Sequence, residues 1–381
     1  ARILTYITAI LTLSSPEIAT AQATFDTEPT MNSGERWRIG YYEGGQYIEY
    51  QKILIATVNS LMKLGWIKTS DIPEQSGEQT DQLWHWLATS VQSDYLKFIG
   101  NAHYSNSWDD NKKSLMSNAI IDRLNKQKDV DLMIAMGTWA GQGLANDKHS
   151  TATVVLSSSD PLSSGIITSA EDSGFMHLHA TVDPNRYERQ LRVFHDITQF
   201  QKLGVAYENS HSGRSYAAMD VVESLSKELA FDVVRCFTQS DIGDTAKAEK
   251  SVIDCFKTLG QSADAIYVTE QGGVTQHSLP ILVNIANQHN IPTFSQSGAT
   301  EVRYGVLASL SQSGYKYFGD FHAQTMAKIF NGASPNELSQ IFKEPPRMAI
   351  NLKTAEKIGF NPPLLLLGAS DEIYNEIAVP K

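Results

Sequence analysis

"VVLSSSDPLSSGII", residues 154–167, decides how the chain is read. Val154 and Val155 belong to an apolar, β-branched run of the kind that fills a buried strand. Three serines, Asp160 and Pro161 follow. The strand must stop there, because Pro161 has no N–H for a ladder and holds Asp160 extended. A buried strand therefore runs out into hydroxyls and one carboxylate. In open α/β sheets, ligands sit beyond the carboxyl ends of strands, near topological switch points.

The flanking sequence alternates in the same way. "WRIGYY", "YLKFIG", "VDLMIAM" and "TATVVLS" read as strands. Between them, residues 50–64 place Leu54, Val58 and Leu61 at helical spacing, and "LMSNAIIDRLNKQ" and "WAGQGLAND" read as helices. A second series follows with the strands "KLGVAY", "FDVVRCF", "ADAIYVT" and "IPTFSQ". Its helices are residues 214–229, "AEKSVIDCFKTLG" and "LPILVNIANQH". Alternation of this kind gives parallel sheets covered by helices. Two consecutive series give an α/β chain of two doubly wound parallel-sheet lobes.

Composition narrows the function. The chain has 381 residues and a formal net charge of −11, with no basic cluster to attract nucleic acid. Residues 1–23 combine Arg2, an apolar run from Ile3 to Leu13 and an Ala21-Gln22-Ala23 cleavage pattern, which reads as a secretory signal peptide. No Cys near that site offers a lipid anchor, so the expected location is periplasmic. Residues 24–36 read as a polar, mobile linker. The two cysteines, Cys236 and Cys255, invite a disulfide in an exported protein, with two separate buried thiols as the alternative.

The loops at strand ends are "YYEGGQY", "GTWAGQ", "SSSDP", "YENSHSGRS", "TEQGG" and "FSQSG". Hydroxyls, amides, carboxylates and aromatics in one cleft would suit a small solute. "MGTWAGQG" is neither a dinucleotide fingerprint nor a phosphate loop, and Thr138 reads as a helix cap. No G-x-S-x-G elbow is present. His177 and His179 share a face of one segment but read as ordinary strand residues rather than metal ligands. Glu43, Asp160 and Glu270 are acid–base candidates, better suited to meet a ligand ammonium. Arg214 is a candidate partner for a ligand carboxylate.

From Arg38 to Tyr374 the chain resembles the ABC-transporter substrate-binding family that includes tryptophan- and tyrosine-binding proteins. The resemblance rests on "DLMIAMGTWAGQGLA", "TVVLSSSDPLSSGII", "LGVAYENS", "DAIYVTEQGGVTQHSLPILVNIANQHNIPTF", "YGVLASLSQSGYKYFGDFHAQTMAKIFNGASP" and "INLKTAEKIGF". It implies a type I periplasmic-binding-protein fold, two lobes joined by a hinge. Residues 37–168 and 303–335 would form the first lobe, and 169–302 and 336–381 the second. The family's Thr-Pro loop falls at Thr138-Trp139, with the Pro replaced, and its Asp-Pro loop is kept at Asp160-Pro161. Asp160 would then face the cleft, unless it caps the segment that follows. Elsewhere the pattern departs. "GGQYIEY" replaces a His-Pro-x-Leu-Asp motif, "ENSHSGRS" an Asn-x-x-Glu-x-Asn loop, and Gln271-Gly272 an Asp-Asn pair.

The candidate ligand contacts are Tyr41, Tyr42, Glu43, Thr138, Trp139, Ser158, Asp160, Tyr207, Glu208, Glu270, Gln271 and Gln296. Tyr41, Tyr42 and Trp139 are placed to stack on a planar or cationic group. The expectation is a monomeric periplasmic solute-binding protein that closes its lobes on a small molecule: an amino acid, or an aromatic or cationic compound. It would deliver that ligand to an ABC permease in the inner membrane, with no catalytic residues, cofactor or metal. The alternatives are a periplasmic sensor docking on a receptor kinase or cyclase and, further off, an α/β enzyme.

Overall fold

A strand buried on both faces of a parallel sheet needs an unbroken apolar run, and the chain supplies such runs repeatedly. The computed structural model describes residues 25–311, 315–342 and 346–380. The first series comprises β1 (Trp37–Glu43), α1 (Ile48–Lys63), α2 (Asp81–Thr89), β2 (Leu96–Ser105) and α3 (Lys113–Lys126). It continues with β3 (Leu132–Met136), α4 (Thr138–Leu144), β4 (Ala152–Leu156) and β5 (Leu178–Ala180). These strands form a five-stranded, all-parallel sheet of order β2-β1-β3-β4-β5.

The second series comprises α5 (Arg186–Thr198), β6 (Lys202–Glu208), α6 (His211–Tyr216), α7 (Met219–Leu229) and β7 (Asp232–Thr238). Then come α8 (Thr245–Leu259), β8 (Ala265–Val268), α9 (Leu279–Gln288), β9 (Thr293–Ser295), α10 (Ala299–Arg303) and β10 (Ala308–Ser311). After α11 (Tyr315–Phe330), the chain closes with β11 (Arg347–Asn351), α12 (Leu352–Ile358), α13 (Leu364–Ala369) and β12 (Ser370–Tyr374). The second sheet has seven strands in the order β12-β11-β10-β9-β8-β6-β7, and only β10 and β11 pair antiparallel. The expected architecture, two parallel-sheet α/β lobes, is what the chain forms.

Each sheet carries a core on both faces. Strand alternation sends Tyr41 into one cluster of the first lobe and Tyr42 into the other. Met326, Ile329 and Phe330 of α11 join Leu54, Leu61 and Trp66 in the first of these clusters, so this helix returns to the first lobe. The chain crosses between lobes after β5, before α11 and before β11. Two of these crossings lie side by side. Val182 and Ile341 form an isolated parallel bridge, and the Val182 N–H donates to Gln340 O at 2.9 Å.

Some boundaries differ from the sequence reading. Sheet membership puts β5 with the first lobe, so residues 169–180 belong there rather than to the second. It also puts β10 in the second sheet, although 303–335 was expected in the first lobe. Gln340 accepts at Oε1 from the Ala180 N–H, so the stretch after residue 335 still packs on the first lobe. The helix expected over 214–229 breaks at Ala218, whose φ of +52° is left-handed. Residues 25–36 are not a free linker. Trp66 and Trp37 donate ring N–H bonds to Thr27 O and Thr30 O, both at 2.9 Å, and Asn331 donates to Glu28 O. The expected signal peptide lies outside the described residues.

Cys236 on β7 and Cys255 on α8 are disulfide-bonded, with Cα atoms 5.5 Å apart. Thiol titration of the unreduced, denatured protein should therefore find no free thiol. Reduction should lower stability by about 3 kcal/mol, the loop-closure value for a span of this size.

Burial also sets a pH response. His322 of α11 lies between Thr57 Oγ1 at 3.5 Å and Thr181 Oγ1 at 3.1 Å, and burial pushes its pKa down to about 3. The folded state then binds fewer protons than the unfolded chain, so this contribution is complete above the ordinary value of 6.5 and is lost as pH falls below it. Urea midpoints at about pH 7 and about pH 4.5 should drop more for the native chain than for His322→Gln.

Candidate functional site

The loops that follow the strands of the two sheets meet between the lobes. They wall a cavity of about 50 Å³. The first lobe gives it Tyr47, Tyr50, Trp108, Thr138, Trp139, Ser157 and Ser159. The second gives it Ser212, Tyr216, Ser240, Asp241, Glu270, Gln271 and Gly272.

The aromatic wall is built by close packing. Tyr47 and Tyr50 meet edge to face at 5.2 Å between ring centres, as do Trp108 and Trp139 at 5.3 Å. Ser107 and Trp108 both sit at φ +54°, a left-handed conformation that costs energy for non-glycine residues. Trp108 is held there by its indole N–H, which donates to Gln46 O at 2.9 Å, and by its ring lying on Gly44 and Gly45. A Cβ on Gly45 would come within 2.5 Å of that ring. Gly137 is constrained twice. Its φ is +84°, and a Cβ there would lie 1.9 Å from the Tyr50 hydroxyl.

Asp241 and Glu270 supply the charge. Asp241 Oδ2 accepts the Trp139 indole N–H at 3.0 Å. Burial, then the neighbouring Glu208, push the Asp241 carboxyl up to about 6, against the opposing pull of Lys113. Glu208 Oε2 fixes this loop by accepting the Ser240 and Asp241 N–H groups at 2.7 and 3.0 Å. The Lys113 ammonium lies 3.5 Å from the centre of the Trp139 ring and 3.3 Å from Asp110, and it does not line the cavity. Glu270 is differently placed. Its Oε1 accepts from Arg186 at 2.6 Å, and its Oε2 accepts the Ser159 hydroxyl across the cleft at 2.8 Å.

The small cavity shares Trp108, Ser240 and Gly272 with an outer chamber of about 1130 Å³. The chamber carries Glu43, Glu74, Glu78, Asp81 and Glu249. Burial pushes Glu43 up to about 7, although it accepts from Thr80 at 2.7 Å and Tyr41 at 2.8 Å. Among the described residues, no Lys or Arg lines either space.

Of the candidate contacts, Thr138, Trp139, Glu270 and Gln271 meet at the small cavity, and Glu43 lines the chamber. Ser158 lines a third space of about 290 Å³, which also carries Arg186 and Arg303. The others lie elsewhere. Tyr41, Tyr42 and Tyr207 are core residues, because strands covered on both faces bury every side chain. Asp160 is a cap, with Oδ1 accepting the N–H groups of Leu162 and Ser163, each at 3.0 Å, and it lines none of these spaces. Gln296 is fully buried between the Glu270 N–H and Tyr216 O. Glu208 positions a loop. Arg214 pairs with Asp220 and Glu223. His177 and His179 donate to the carbonyls of Leu144 and Ser339, and no group of metal-binding side chains occurs among the described residues. Trp108 and Asp241 were missed, yet each lies just past the end of a strand, β2 and β7, where the same strand-end rule finds them.

Two parallel-sheet lobes with a cavity at their facing strand ends define the type I periplasmic-binding-protein fold. The chain belongs to the family described as ABC transporter substrate binding protein, which matches residues 93–372. No curated protein matches. Solved structures similar to it include an ABC domain from Streptococcus pneumoniae in complex with L-Trp. That structure is 17% identical with a TM-score of 0.67, over 89% of this chain and 100% of that one. A conserved domain protein from Vibrio cholerae is similar at 15% identity and a TM-score of 0.66, with the same coverage. A ligand-free, open substrate-binding protein from Clostridium difficile with adhesive properties matches at 18% identity and a TM-score of 0.58, again over 89% and 100%. At these identities the likeness is one of fold.

Two substitutions test the geometry. Asp160→Ala should cost about 0.5–2 kcal/mol of stability, as loss of a cap does, and leave affinity for a cleft ligand unchanged by calorimetry. Gly137→Ala should displace the Tyr50 ring, which tyrosine fluorescence and a lowered melting temperature would register.

Proposed function

We propose that this protein is an extracytoplasmic solute-binding protein that closes two lobes on a small organic ligand and delivers it to an ABC permease. The observation that carries this reading is the cavity to which both lobes contribute, with aromatic walls and hydroxyl, amide and carboxylate groups set between them. Sites for small solutes have that composition. Tyr47, Tyr50, Trp108, Trp139 and Tyr216 form its apolar part. Thr138, Asp241, Glu270 and Gln271 give it orientation. Closure would bury the solute and present one joined surface to the permease. Family membership supports the transport role. The reading needs no chemical step, and the protein acts as a monomer in the periplasm.

Lobe closure is the test. A solute identified by mass spectrometry in the purified protein, returned at a hundred times its dissociation constant, should raise stability by about 2.7 kcal/mol. Solution scattering should show a smaller radius of gyration at the same time. A rise in melting temperature without compaction would mean that the ligand sits on one lobe or that the lobes are closed before it binds, and either defeats ligand-driven closure. Trp139→Ala should weaken binding of that solute by roughly tenfold or more, since an aromatic contact of this kind is worth about 0.5–1.5 kcal/mol beyond its buried area.

A further inference from the structure

The solute-binding reading leaves the charge of the ligand open, and the cavity bears on it. We propose that the ligand is an organic cation whose ammonium group sits among the aromatic rings of the inner cavity, against Asp241. This rests on the reading above and adds the substrate class.

Three observations converge. The rings of Tyr47, Tyr50, Trp108 and Trp139 form a connected wall, with centre-to-centre distances of 5.2, 6.3 and 5.3 Å along it. Electron-rich ring faces around a desolvated space attract an ammonium or guanidinium group. Next, Asp241 faces this space with no cation beside it in the lining. Its partners are the Trp139 indole N–H and the Ser240 hydroxyl, and both are neutral. Lys113 acts on it only at a distance, without a hydrogen bond. A half-buried carboxylate with no cation in contact is costly, and a ligand cation lowers that cost. Finally, the cavity shares Trp108, Ser240 and Gly272 with a chamber whose charged lining is acidic: Glu74, Asp81, Glu249 beside His277, and Glu43 and Glu78, whose pKa values burial raises. A positive solute is drawn into such a field and a negative one is repelled.

The lining also disfavours a free carboxylate on the ligand. The third space, which shares Tyr47, Ser157, Ser159 and Glu270 with the cavity, carries Arg186 and Arg303. Neither lines the cavity itself, and Arg186 is engaged by Glu270 at 2.6 Å and by Gln296 O at 2.9 Å. Lys113 lies over the Trp139 ring and beside Asp110. At about 50 Å³ the inner space holds a compact group, and the rest of a longer ligand would occupy the chamber.

The experiment uses the full chain, freed of co-purified solutes by dialysis from denaturant and refolded. Choline, 1,4-diaminobutane, 3,3-dimethylbutan-1-ol (the uncharged isostere of choline) and L-tryptophan are titrated by calorimetry and thermal melting. The solute carried by freshly purified protein is identified by mass spectrometry. The proposal expects that solute to carry net positive charge, and at least one of the two cations to bind tighter than both the isostere and L-tryptophan. Asp241→Asn should weaken cation binding by roughly ten- to hundredfold. It should raise the melting temperature of the empty protein at neutral pH, because it removes a carboxylate whose ionisation burial disfavours, and leave any binding of the isostere unchanged. Trp108→Leu, which keeps the carboxylate, should also weaken the cation and serves if Asp241→Asn does not fold. A neutral, zwitterionic or anionic solute from the purified protein overturns the charge class and leaves the solute-binding reading intact. Cation affinity unchanged in both variants does the same. No co-purified solute and no binding by any of the four compounds overturns both.

Discussion

The parallel run of the strands is the constraint on which the rest depends. A parallel pair needs a crossover that carries the chain back to the same starting edge, so every segment that follows a strand emerges at the opposite edge. The first sheet is parallel throughout and the second is parallel except where β10 meets β11. Each lobe therefore gathers its strand-end loops on one side, and the chain crossings hold those sides face to face. Trp108 after β2 and Asp241 after β7 are far apart in sequence and line one cavity for this reason.

The two carboxylates at the cavity show how position divides labour between like groups. Glu270 is neutralised by Arg186 and takes the Ser159 hydroxyl from the opposite lobe, so it ties the lobes together. Breaking such a pair by removing one member is far more damaging than the pair's net contribution suggests, because the survivor is left charged and buried. Asp241 has no such partner. The Glu208 carboxylate that fixes its loop also raises the cost of ionising it. One acid is satisfied by the fold and the other is left facing the cleft.

The sequence disclosed the fold well and the site in part. Strands buried on both faces leave unbroken apolar runs, and helices such as α1 and α8 keep one apolar side, so the alternation could be read directly. The helix α5 was missed, because it opens among charged residues, whereas the segment around Leu178, read as a strand, forms the short β5 (Leu178–Ala180). Loops chosen by the strand-end rule supplied Thr138, Trp139, Glu270 and Gln271. The rule failed at Tyr41, Tyr42 and Tyr207 because it does not fix the residue at which a strand stops being covered. β1 runs to Glu43, and both tyrosines remain inside it. Asp160 carried the ambiguity in its own chemistry, since a short acid before a turn serves equally as ligand contact or cap, and only its distances to Leu162 and Ser163 decide.

The division of the cavity between lobes also determines how binding is coupled to movement. The first lobe brings most of the aromatic wall and the second brings both carboxylates. A solute held by one side alone would have the same affinity in the open and closed forms, and it would shift no population. Closure becomes favourable only when one molecule touches ring faces from one lobe and Asp241 from the other. The aromatic wall is set in advance. Trp108 is fixed in a left-handed backbone over Gly44 and Gly45, and Tyr50 fills the space left by the missing Cβ of Gly137. Little side-chain ordering is left to oppose binding, so the free energy of contact is available for drawing the lobes together.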